Sequence, residues 1–283
     1  MTTVVWVDGR LGDERTASVP ALDHGLTVGD GVFETCHVAG GEAFALTRHL
    51  RRLGRSAAAL GLAPPRDDVV RAAVAETLAA ARDRGADLSH GRLRITLTGG
   101  PGPLGSNRGP AGTTLVVAAA AAAAWPADPR AVSVPWTRNE RSATAGVKTT
   151  SYAENVVALA EAQRQGAQEA LLANTRGDLC EGTGSNVLVV SGGVLLTPPL
   201  SAGCLAGITR ELLLEWAADE GLPVLEKDLP MEALAEAEDV VLTSSTRGAQ
   251  PQAAVDGRPL PRGELARAAQ ELYERRATTD LDP

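Results

Sequence analysis

One lysine carries the clearest indication of chemistry in this sequence. Only two of the 27 lysine and arginine residues are lysines, Lys148 and Lys227, and all the others are arginines. Arginine stays protonated at any working pH, whereas a lysine amine can lose its proton and act as a nucleophile. Lys148, in the stretch AGVKTTSYAEN, is therefore a candidate nucleophile, unless the two lysines are only what an arginine-rich composition leaves over.

Two segments have the residues to bind a phosphate or another anion. Gly207 precedes a helix predicted over 208–220, whose first turn would offer the N–H groups of Ile208 and Thr209 and the Thr209 hydroxyl. The hydroxyl run TSST at 243–246 ends a predicted strand and enters a loop, where hydroxyls and amides can face an anion. An ordinary capped helix and a polar turn are the alternatives.

A carboxylate in the segment LCEGTGSNVLVV completes the set. Glu181 lies between two apolar stretches, so we expect it to be partly buried and to need a polar partner. Pyridoxal phosphate requires a lysine for a Schiff base, an anion site for its phosphate and a carboxylate that keeps its pyridine nitrogen protonated. Lys148, the two anion segments and Glu181 meet these requirements, and they predict pyridoxal 5'-phosphate as the cofactor.

Composition limits the partners and the kinds of site. The formal net charge of −8 argues against a nucleic-acid partner, and no apolar run approaches the roughly 20 residues that a membrane span needs. Cys36, Cys180 and Cys204 are odd in number and far apart, which suits reduced thiols in a cytoplasm. The four histidines form no HExxH-type pair, so we expect no metal site.

A glycine-rich motif in the first half is not a nucleotide site. GPGPLG at 100–105 fits the GxGxxG pattern, but a dinucleotide fingerprint must open into a helix. The residues that follow are SNRGPAG, and the two prolines inside the motif remove N–H donors that a phosphate would need. We predict a loop.

Strands and helices must position the candidate residues. The segments VVWV, VPAL and GDGVFETCHVAGG are predicted strands, the last with a hairpin turn at its glycine pair. Helices are predicted from an N-cap at Thr47 to Gly61 and from Asp67 to Arg84. RLRITLT at 92–98 alternates apolar with polar residues, which predicts a strand with one buried face and a polar face that could line a site.

A domain boundary is predicted where the alanine-rich run meets Trp125-Pro126 and Asp128-Pro129, because these steps favour extended backbone. We expect a small N-terminal α+β domain at 1–120, a linker at 121–130 and a larger C-terminal α+β domain at 131–283 that carries Lys148. Strands and helices mix without a regular βαβ order, so the predicted fold class is α+β.

Five blocks of the sequence, taken in order, resemble the class-IV aminotransferase family of fold-type IV pyridoxal-phosphate enzymes. The blocks are DHGLTVGDGVFET, RHLRRLGRSA, VKTTSYAENVVALAEAQRQGAQEALLANTRGDLCEGTGSNV, LAGITRELL and LTSSTRGAQP. This family includes branched-chain and D-amino-acid aminotransferases and 4-amino-4-deoxychorismate lyase. The resemblance implies a two-domain fold like that of D-amino-acid aminotransferase, with the cofactor in the cleft between the domains, and a homodimer.

The resemblance also implies roles for individual residues. Lys148 would form the Schiff base, Tyr152 would bind the phenolic oxygen of the cofactor, and Glu181 would face the pyridine nitrogen. The phosphate would be held by Arg52, Ile208, Thr209 and Ser245. The residues nominated to contact a small amino or carboxylate substrate are Thr35, Arg94 and Ser244. Without the family, Tyr152 would be interpreted as a core tyrosine at a helix start.

The reaction is predicted from two of the blocks. KTTSYAENVVAL and STRGAQP look most like the aminodeoxychorismate lyases, which release pyruvate and 4-aminobenzoate, although Gln252 departs from the apolar residue usual in that group. A transaminase of branched-chain or D-amino acids is the first alternative. A non-catalytic cofactor-binding protein is a remote one, because Lys148, Glu181 and Arg52 are all present.

Overall fold

The chain folds into two compact units that combine helices with sheets, which confirms the α+β class. The computed structural model describes residues 2–283. The first unit comprises the chain up to Ala123, the segment Val147–Tyr152 and Asp282. The second comprises Ala124–Gly146, Ala153–Leu281 and Pro283.

An antiparallel sheet of six strands is the framework of the first unit. Its strands are β1 (Val4–Val7), β2 (Arg10–Asp13), β3 (Gly31–Ala39), β4 (Glu42–Ala43), β5 (His90–Thr98) and β6 (Thr114–Ala121). They lie in the order β2-β1-β6-β5-β3-β4. The helices of this unit are α1 (His24–Thr27), α2 (Leu46–Ala59) and α3 (Asp67–Asp83).

The alternation predicted for residues 92–98 is confirmed in β5. Leu93, Ile95 and Leu97 are buried in one core cluster with apolar residues of α2 and α3. Arg92 and Arg94 lie on the other face and are exposed. The first unit therefore packs α2 and α3 on one face of the sheet, and the arginines of β5 lie on the other face.

Two local predictions for the first unit are wrong. Thr47 is not the N-cap of α2, because the helix already begins at Leu46 after Ala45, which has φ 53° and no side-chain cap. The Asp282 carboxylate instead accepts hydrogen bonds from the Thr47 N–H and hydroxyl, at 2.8 and 2.5 Å. The segment VPAL is irregular and leads into α1 rather than forming a strand. The glycine-rich segment from 99 to 113 is a loop, as predicted.

The segment around Lys148 belongs to the first unit, although the sequence placed it in the C-terminal domain. Backbone hydrogen bonds explain this. Phe33 donates its N–H to the Lys148 carbonyl at 2.9 Å, and Thr150 donates to the Gly31 carbonyl at 2.8 Å. The segment thus extends alongside β3 before the chain enters the second unit at Ala153. The earlier crossing, between Ala123 and Ala124, falls inside the predicted linker.

Two five-stranded sheets form the second unit. Their strands are β7 (Arg130–Arg138), β8 (Glu169–Asn174), β9 (Leu179–Gly182), β10 (Asn186–Ser191), β11 (Val194–Thr197), β12 (Val224–Glu226), β13 (Asp239–Ser244), β14 (Gly248–Pro251), β15 (Ala254–Val255) and β16 (Arg258–Pro259). The strand orders are β16-β15-β7-β8-β9 in one sheet and β12-β11-β10-β13-β14 in the other. The helices are α4 (Ala153–Arg164), α5 (Ile208–Glu220), α6 (Ala233–Glu236) and α7 (Glu264–Thr279). Apolar residues of both sheets share one core cluster, among them Leu171, Val187 and Leu242.

Two kinds of feature are absent from residues 2–283: a membrane-spanning helix and a cluster of metal-binding side chains. None of the helices there combines the length and the apolar character that crossing a membrane requires. No group of three or more His, Cys, Asp or Glu side chains in that part of the chain could hold a metal ion.

The two faces of β5 should differ sharply in their tolerance of truncation. Leu93→Ala removes a side chain that is 0% exposed, so we expect the free energy of unfolding to fall by about 2–5 kcal/mol. Arg92→Ala, one residue away on the polar face, should change it by no more than about 0.5 kcal/mol. Urea denaturation of both variants measures the difference, and equal losses would contradict the assignment of faces.

Candidate active site

The polar face of the first unit gathers several of the predicted residues. Successive side chains of a strand point to opposite faces, so Phe33 and Thr35 share the face of β3 that Glu34 does not use. Thr35 lies directly opposite Arg94 in the antiparallel ladder. The structure therefore brings together Thr35 and Arg94, two of the three residues nominated for the substrate.

The Phe33 ring is the common contact of three predicted residues. The Lys148 amine lies 4.6 Å from the ring centroid, and the Arg94 guanidinium carbon lies 3.7 Å from it. The Tyr152 ring meets Phe33 edge to face, with centroids 5.3 Å apart and an interplanar angle of 79°. A cation over an aromatic face is electrostatically favoured, so Phe33 can hold both positive groups.

Gly29, in the block DHGLTVGDGVFET, contacts the segment that carries Lys148. Its carbonyl accepts hydrogen bonds from the Thr150 and Ser151 hydroxyls, at 3.0 and 2.9 Å. Its φ of 68° is in the left-handed region, and a Cβ there would lie 2.5 Å from Ser151 Oγ. Glycine is required by both conditions. The Lys148 backbone is fixed further by a 3.4 Å hydrogen bond from its N–H to Ser56 Oγ.

On the core face, a buried carboxylate binds Arg52. Glu34 is 0% exposed and accepts hydrogen bonds from Arg52 Nε and Nη2, at 2.8 and 2.6 Å. Its other neighbour is His49, whose Nδ1 lies 2.7 Å from Glu34 Oε2. Burial alone would raise the pKa of Glu34, but the charge of Arg52 and the hydrogen bonds from Arg52 and His49 outweigh it and lower the pKa to about 2. Because Glu34 is ionised, Nδ1 of His49 must carry the proton.

The hydrogen bonds to Glu34 give Arg52 a partner that the sequence did not predict. The predicted phosphate role stays a prediction, and Glu34, which the sequence did not single out, fixes the direction of the guanidinium. Burial lowers the pKa of His49, with the charges of Arg52 and Lys148 acting in the same direction. A structural role for His49 as a hydrogen-bonding group agrees with these contacts.

In the second unit, Glu181 has the polar partner that its burial demands. It lies on β9, is 8% exposed, and pairs with Arg138 Nε at 3.1 Å. Its other oxygen accepts the Leu205 N–H at 2.8 Å. Arg138 also donates to Asn155 at 3.0 Å, so its position is fixed from two sides. No local pattern in the sequence marks Arg138, because its partner is distant along the chain.

The first turn of α5 is arranged as an anion site would be. Ile208 and Thr209 are buried, and no side chain caps the preceding Gly207. Asn186 donates to the Leu205 carbonyl at 2.8 Å, and a Cβ on Gly207 would overlap Asn186 Oδ1. Glycine is therefore needed for the close approach of this turn to β10.

The end of β13 lies beside the same asparagine. Thr243 is the register partner of Asn186 on β10, and Ser244 and Ser245 follow it. Thr243 Oγ1 and Ser244 Oγ are buried and have no hydrogen-bond partner among residues 2–283. Buried hydroxyls are normally satisfied, so the orphaned Thr243 hydroxyl, on the strand position paired with Asn186 and near an uncapped helix N-terminus, fits a bound phosphate.

One family of known proteins matches most of this chain. The model of the family described as "Amino-transferase class IV" matches residues 31–255, which is most of the chain. The chain belongs to the class IV aminotransferase family. The match covers β3, the lysine segment, Glu181, α5 and β13, and it confirms the family predicted from the five sequence blocks.

Relatives and solved structures of this class IV aminotransferase cover almost its whole length. The branched-chain-amino-acid aminotransferase of Pseudomonas aeruginosa is 29% identical, over 96% of this chain and 91% of the relative. The bifunctional aminodeoxychorismate lyase / D-amino acid transaminase of Mycobacterium tuberculosis is 30% identical, over 98% and 99%. The crystal structure of a branched-chain aminotransferase from Thermoproteus uzoniensis with norvaline superposes with a TM-score of 0.88 at 33% identity, over 97% and 94%.

The cofactor prediction is confirmed by the family. Related solved structures include a branched-chain amino acid aminotransferase with pyridoxamine 5'-phosphate and a hypothetical aminotransferase from Mycobacterium tuberculosis in a pyridoxal-phosphate-bound form. The class IV aminotransferase described here is a pyridoxal-phosphate-dependent enzyme. The similarities support its transaminase alternative better than the predicted lyase, because the lyase name occurs only in the bifunctional relative among those described.

Glu34 should make stability depend on acid. Its folded pKa of about 2 lies below the ordinary 4.5, so its contribution is complete above pH 4.5 and is lost as the pH falls toward 2. Glu34→Gln leaves Arg52 buried without its anion, and we expect a loss of about 3–5 kcal/mol at pH 7. Below pH 4.5 the variant should lose stability less steeply than the parent.

Urea midpoints measured from pH 7 to pH 2 test this expectation. Glu42→Gln, on the exposed residue of β4, is the matched control and should follow the parent at every pH. Parallel pH profiles for the parent and Glu34→Gln would show that Glu34 is not ionised in the fold.

Proposed function

We propose that this enzyme transfers the amino group of a small amino acid, either branched-chain or of D configuration, to a 2-oxo acid. The observation that carries the proposal is the contact of Lys148, Arg94 and Tyr152 with the single ring of Phe33. The Lys148 amine and an arginine thereby lie against one ring on this face of the sheet. An amino acid substrate has one group for each of them: its amine can take the place of the Lys148 amine, and its carboxylate can pair with the arginine.

Arg94 is suited to bind the substrate carboxylate. It is exposed and has no ion-pair partner among residues 2–283, in contrast to the buried Arg52. Partial desolvation lowers the pKa of its guanidinium, with the charge of Arg92 acting in the same direction, but arginine remains charged. Its planar N–H groups can donate two parallel hydrogen bonds to a carboxylate. Thr35, across the ladder, offers a hydroxyl to the same group.

Lys148 performs the proton transfers in this proposal. Pyridoxal phosphate supplies an electron sink when it is bound. Lys148 Nζ would be the group that holds the cofactor covalently, and its amine would be free for proton transfer once a substrate amine takes its place. The freed amine then takes the proton from the substrate Cα, and it returns one when the amino group is passed on. The Tyr152 hydroxyl donates a hydrogen bond to the phenolic oxygen of the cofactor.

The remaining proposed roles concern binding and orientation. Glu181, paired with Arg138, holds the proton on the pyridine nitrogen, because a charge-assisted hydrogen bond of this kind is worth about 1.5–3 kcal/mol. The phosphate is bound by the first-turn N–H groups of α5, the Thr209 hydroxyl, Ser245 and Arg52. Ser244 contributes a hydroxyl to the substrate or to the phosphate.

The relatives favour transamination, and one of them keeps lyase chemistry open. Two aminotransferases that act on branched-chain amino acids by name are among the similar proteins. The Mycobacterium tuberculosis relative combines aminodeoxychorismate lyase with D-amino acid transaminase in one name. Release of pyruvate from 4-amino-4-deoxychorismate is therefore the second candidate function.

A homodimer is proposed on the exposed apolar side chains of the first unit. They are Val19, Leu22, Leu26, Val28 and Leu104, and each is more than two-fifths exposed. Gly102 donates its N–H to the Leu22 carbonyl, so the segments that carry these side chains adjoin, and a second copy of the chain is the proposed partner for their apolar surface.

A half-reaction assay tests the function. The purified protein, supplied with pyridoxal phosphate, should show a visible band that is lost with an amino donor and restored by a 2-oxo acid. The L and D forms of valine, leucine and alanine identify the donor. Lys148→Ala should lack the covalent band, with turnover at least about 10³-fold lower, since removal of a nucleophile costs several orders of magnitude. Pyruvate from 4-amino-4-deoxychorismate without any amino transfer would establish the lyase instead.

Arg94 should matter through substrate binding. We expect Arg94→Leu to raise the KM for the amino donor about 10- to 100-fold, because a lost charge-assisted pair costs about 1.5–3 kcal/mol. Arg92→Leu is the matched control, two residues away on the same face of β5, and its KM should stay within about twofold. Equal effects of the two changes would show a general loss of positive charge rather than a specific carboxylate contact.

A further inference from the structure

A second fully buried carboxylate lies in the second unit, outside the residues assigned to the cofactor so far. Glu169, at the start of β8, is 1% exposed. It accepts four hydrogen bonds, which come from the hydroxyls of Thr183 and Ser185, the N–H of Gly184 and Nη2 of Arg247. A carboxylate has about four lone-pair positions, so the four hydrogen bonds occupy all of them and Glu169 cannot bind a further group.

Three of these bonds fix the loop that follows Glu181. Thr183, Gly184 and Ser185 form the connection between β9, which carries Glu181, and β10, which begins with Asn186. Asn186 contacts the turn before α5 and is paired with Thr243. Glu169 therefore anchors the chain between the carboxylate proposed for the pyridine nitrogen and the turn proposed for the phosphate.

The fourth bond fixes the turn after β13. Arg247 Nη2 lies 2.6 Å from Glu169 Oε2, and both side chains are almost completely buried. The Trp125 ring covers the guanidinium, with 4.0 Å between the Arg247 Cζ atom and the ring centroid. The Trp125 indole N–H donates to the Thr246 carbonyl at 2.9 Å. The turn Ser245-Thr246-Arg247 is thus held both by a side-chain ion pair and by its own backbone.

Such a pair is not explained by stability alone. Burying two charges costs about as much as their attraction returns, so a hydrophobic pair of the same size would often be equally stable. What an ion pair adds is a defined geometry, since a short charge-assisted hydrogen bond constrains the direction of both groups. The 245–247 turn carries the candidate phosphate ligand Ser245, and the 183–185 loop leads into Asn186, which contacts the turn before α5.

We propose that the Glu169–Arg247 pair positions the phosphate-binding elements, by holding the 183–185 loop and the 245–247 turn at a fixed separation. Both are positioning residues, because the carboxylate has no free lone pair and would repel a phosphate. The inference rests on the proposed assignment of the phosphate to α5, Ser244 and Ser245. It adds that the affinity of the enzyme for the phosphate group, in particular, depends on a pair that does not contact it.

The test compares pyridoxal 5'-phosphate with pyridoxal, which lacks the phosphate. Cofactor-free protein is titrated with each compound, and the dissociation constants are obtained from the absorbance of the bound form. Glu169→Gln and Arg247→Lys keep the side-chain shape or charge, and we expect each to weaken pyridoxal 5'-phosphate about 10- to 100-fold, as for a lost charged hydrogen bond. Binding of pyridoxal should change less than about threefold.

Controls separate positioning from general damage. Arg258→Lys, in the same unit, loses hydrogen bonds to the Leu234 and Ala237 carbonyls and should leave the ratio of the two dissociation constants unchanged. The double variant of Glu169 and Arg247 should cost little more than either single change, because the two residues act as one unit.

Two results would overturn the proposal. If the variants weaken pyridoxal and its phosphate equally, the pair is merely structural, and if they weaken neither, it has no part in cofactor binding. Normal binding of pyridoxal 5'-phosphate by the parent in either case leaves the proposed function intact. A parent that binds neither compound would instead contradict the cofactor sites, and this proposal with them.

Discussion

The alternation of side chains along β3 is the constraint on which the first unit depends. One face of the strand packs against the helices and has to accommodate Glu34, a charged residue that only Arg52 and His49 make tolerable there. The opposite face presents Phe33 and the groups that surround it. A shift of one residue in the pairing of β3 with β5 would exchange the two faces completely. The register of this antiparallel pair therefore fixes both the core and the chemistry.

The preference of this sequence for arginine has a physical use. Arg52, Arg138 and Arg247 each hold a buried or nearly buried carboxylate, and a guanidinium does so without any risk of losing its proton. A lysine at these positions would titrate more easily when desolvated. Lys148, where loss of the proton would be useful in the proposed reaction, carries an amine. The distribution of the two residue types thus follows their different chemistry.

Local patterns predicted most of the regular structure, and distant contacts escaped them. The bounds of α5 and the two-faced β5 follow from periodicity, which is written in neighbouring residues. Helix α7 was overlooked although Ala266, Ala269, Leu272 and Tyr273 repeat at helical spacing. The pairing of Glu169 with Arg247 spans 78 residues, and no local signal records it. Residue type and context singled out Lys148 and Glu181, and the family resemblance gave them roles, whereas their partners Phe33 and Arg138 emerged only from the fold.

The discontinuity of the first unit has a consequence for how the protein is made. A ribosome completes the six strands of the sheet well before it reaches Val147–Tyr152, and it has by then already begun the second unit. The sheet can form early, but the stretch alongside β3 is filled only when the chain returns. Until then Phe33 and Gly31 lack the partners of their backbone hydrogen bonds. The segment that carries Lys148 is consequently added only after all six strands of the sheet have been synthesised.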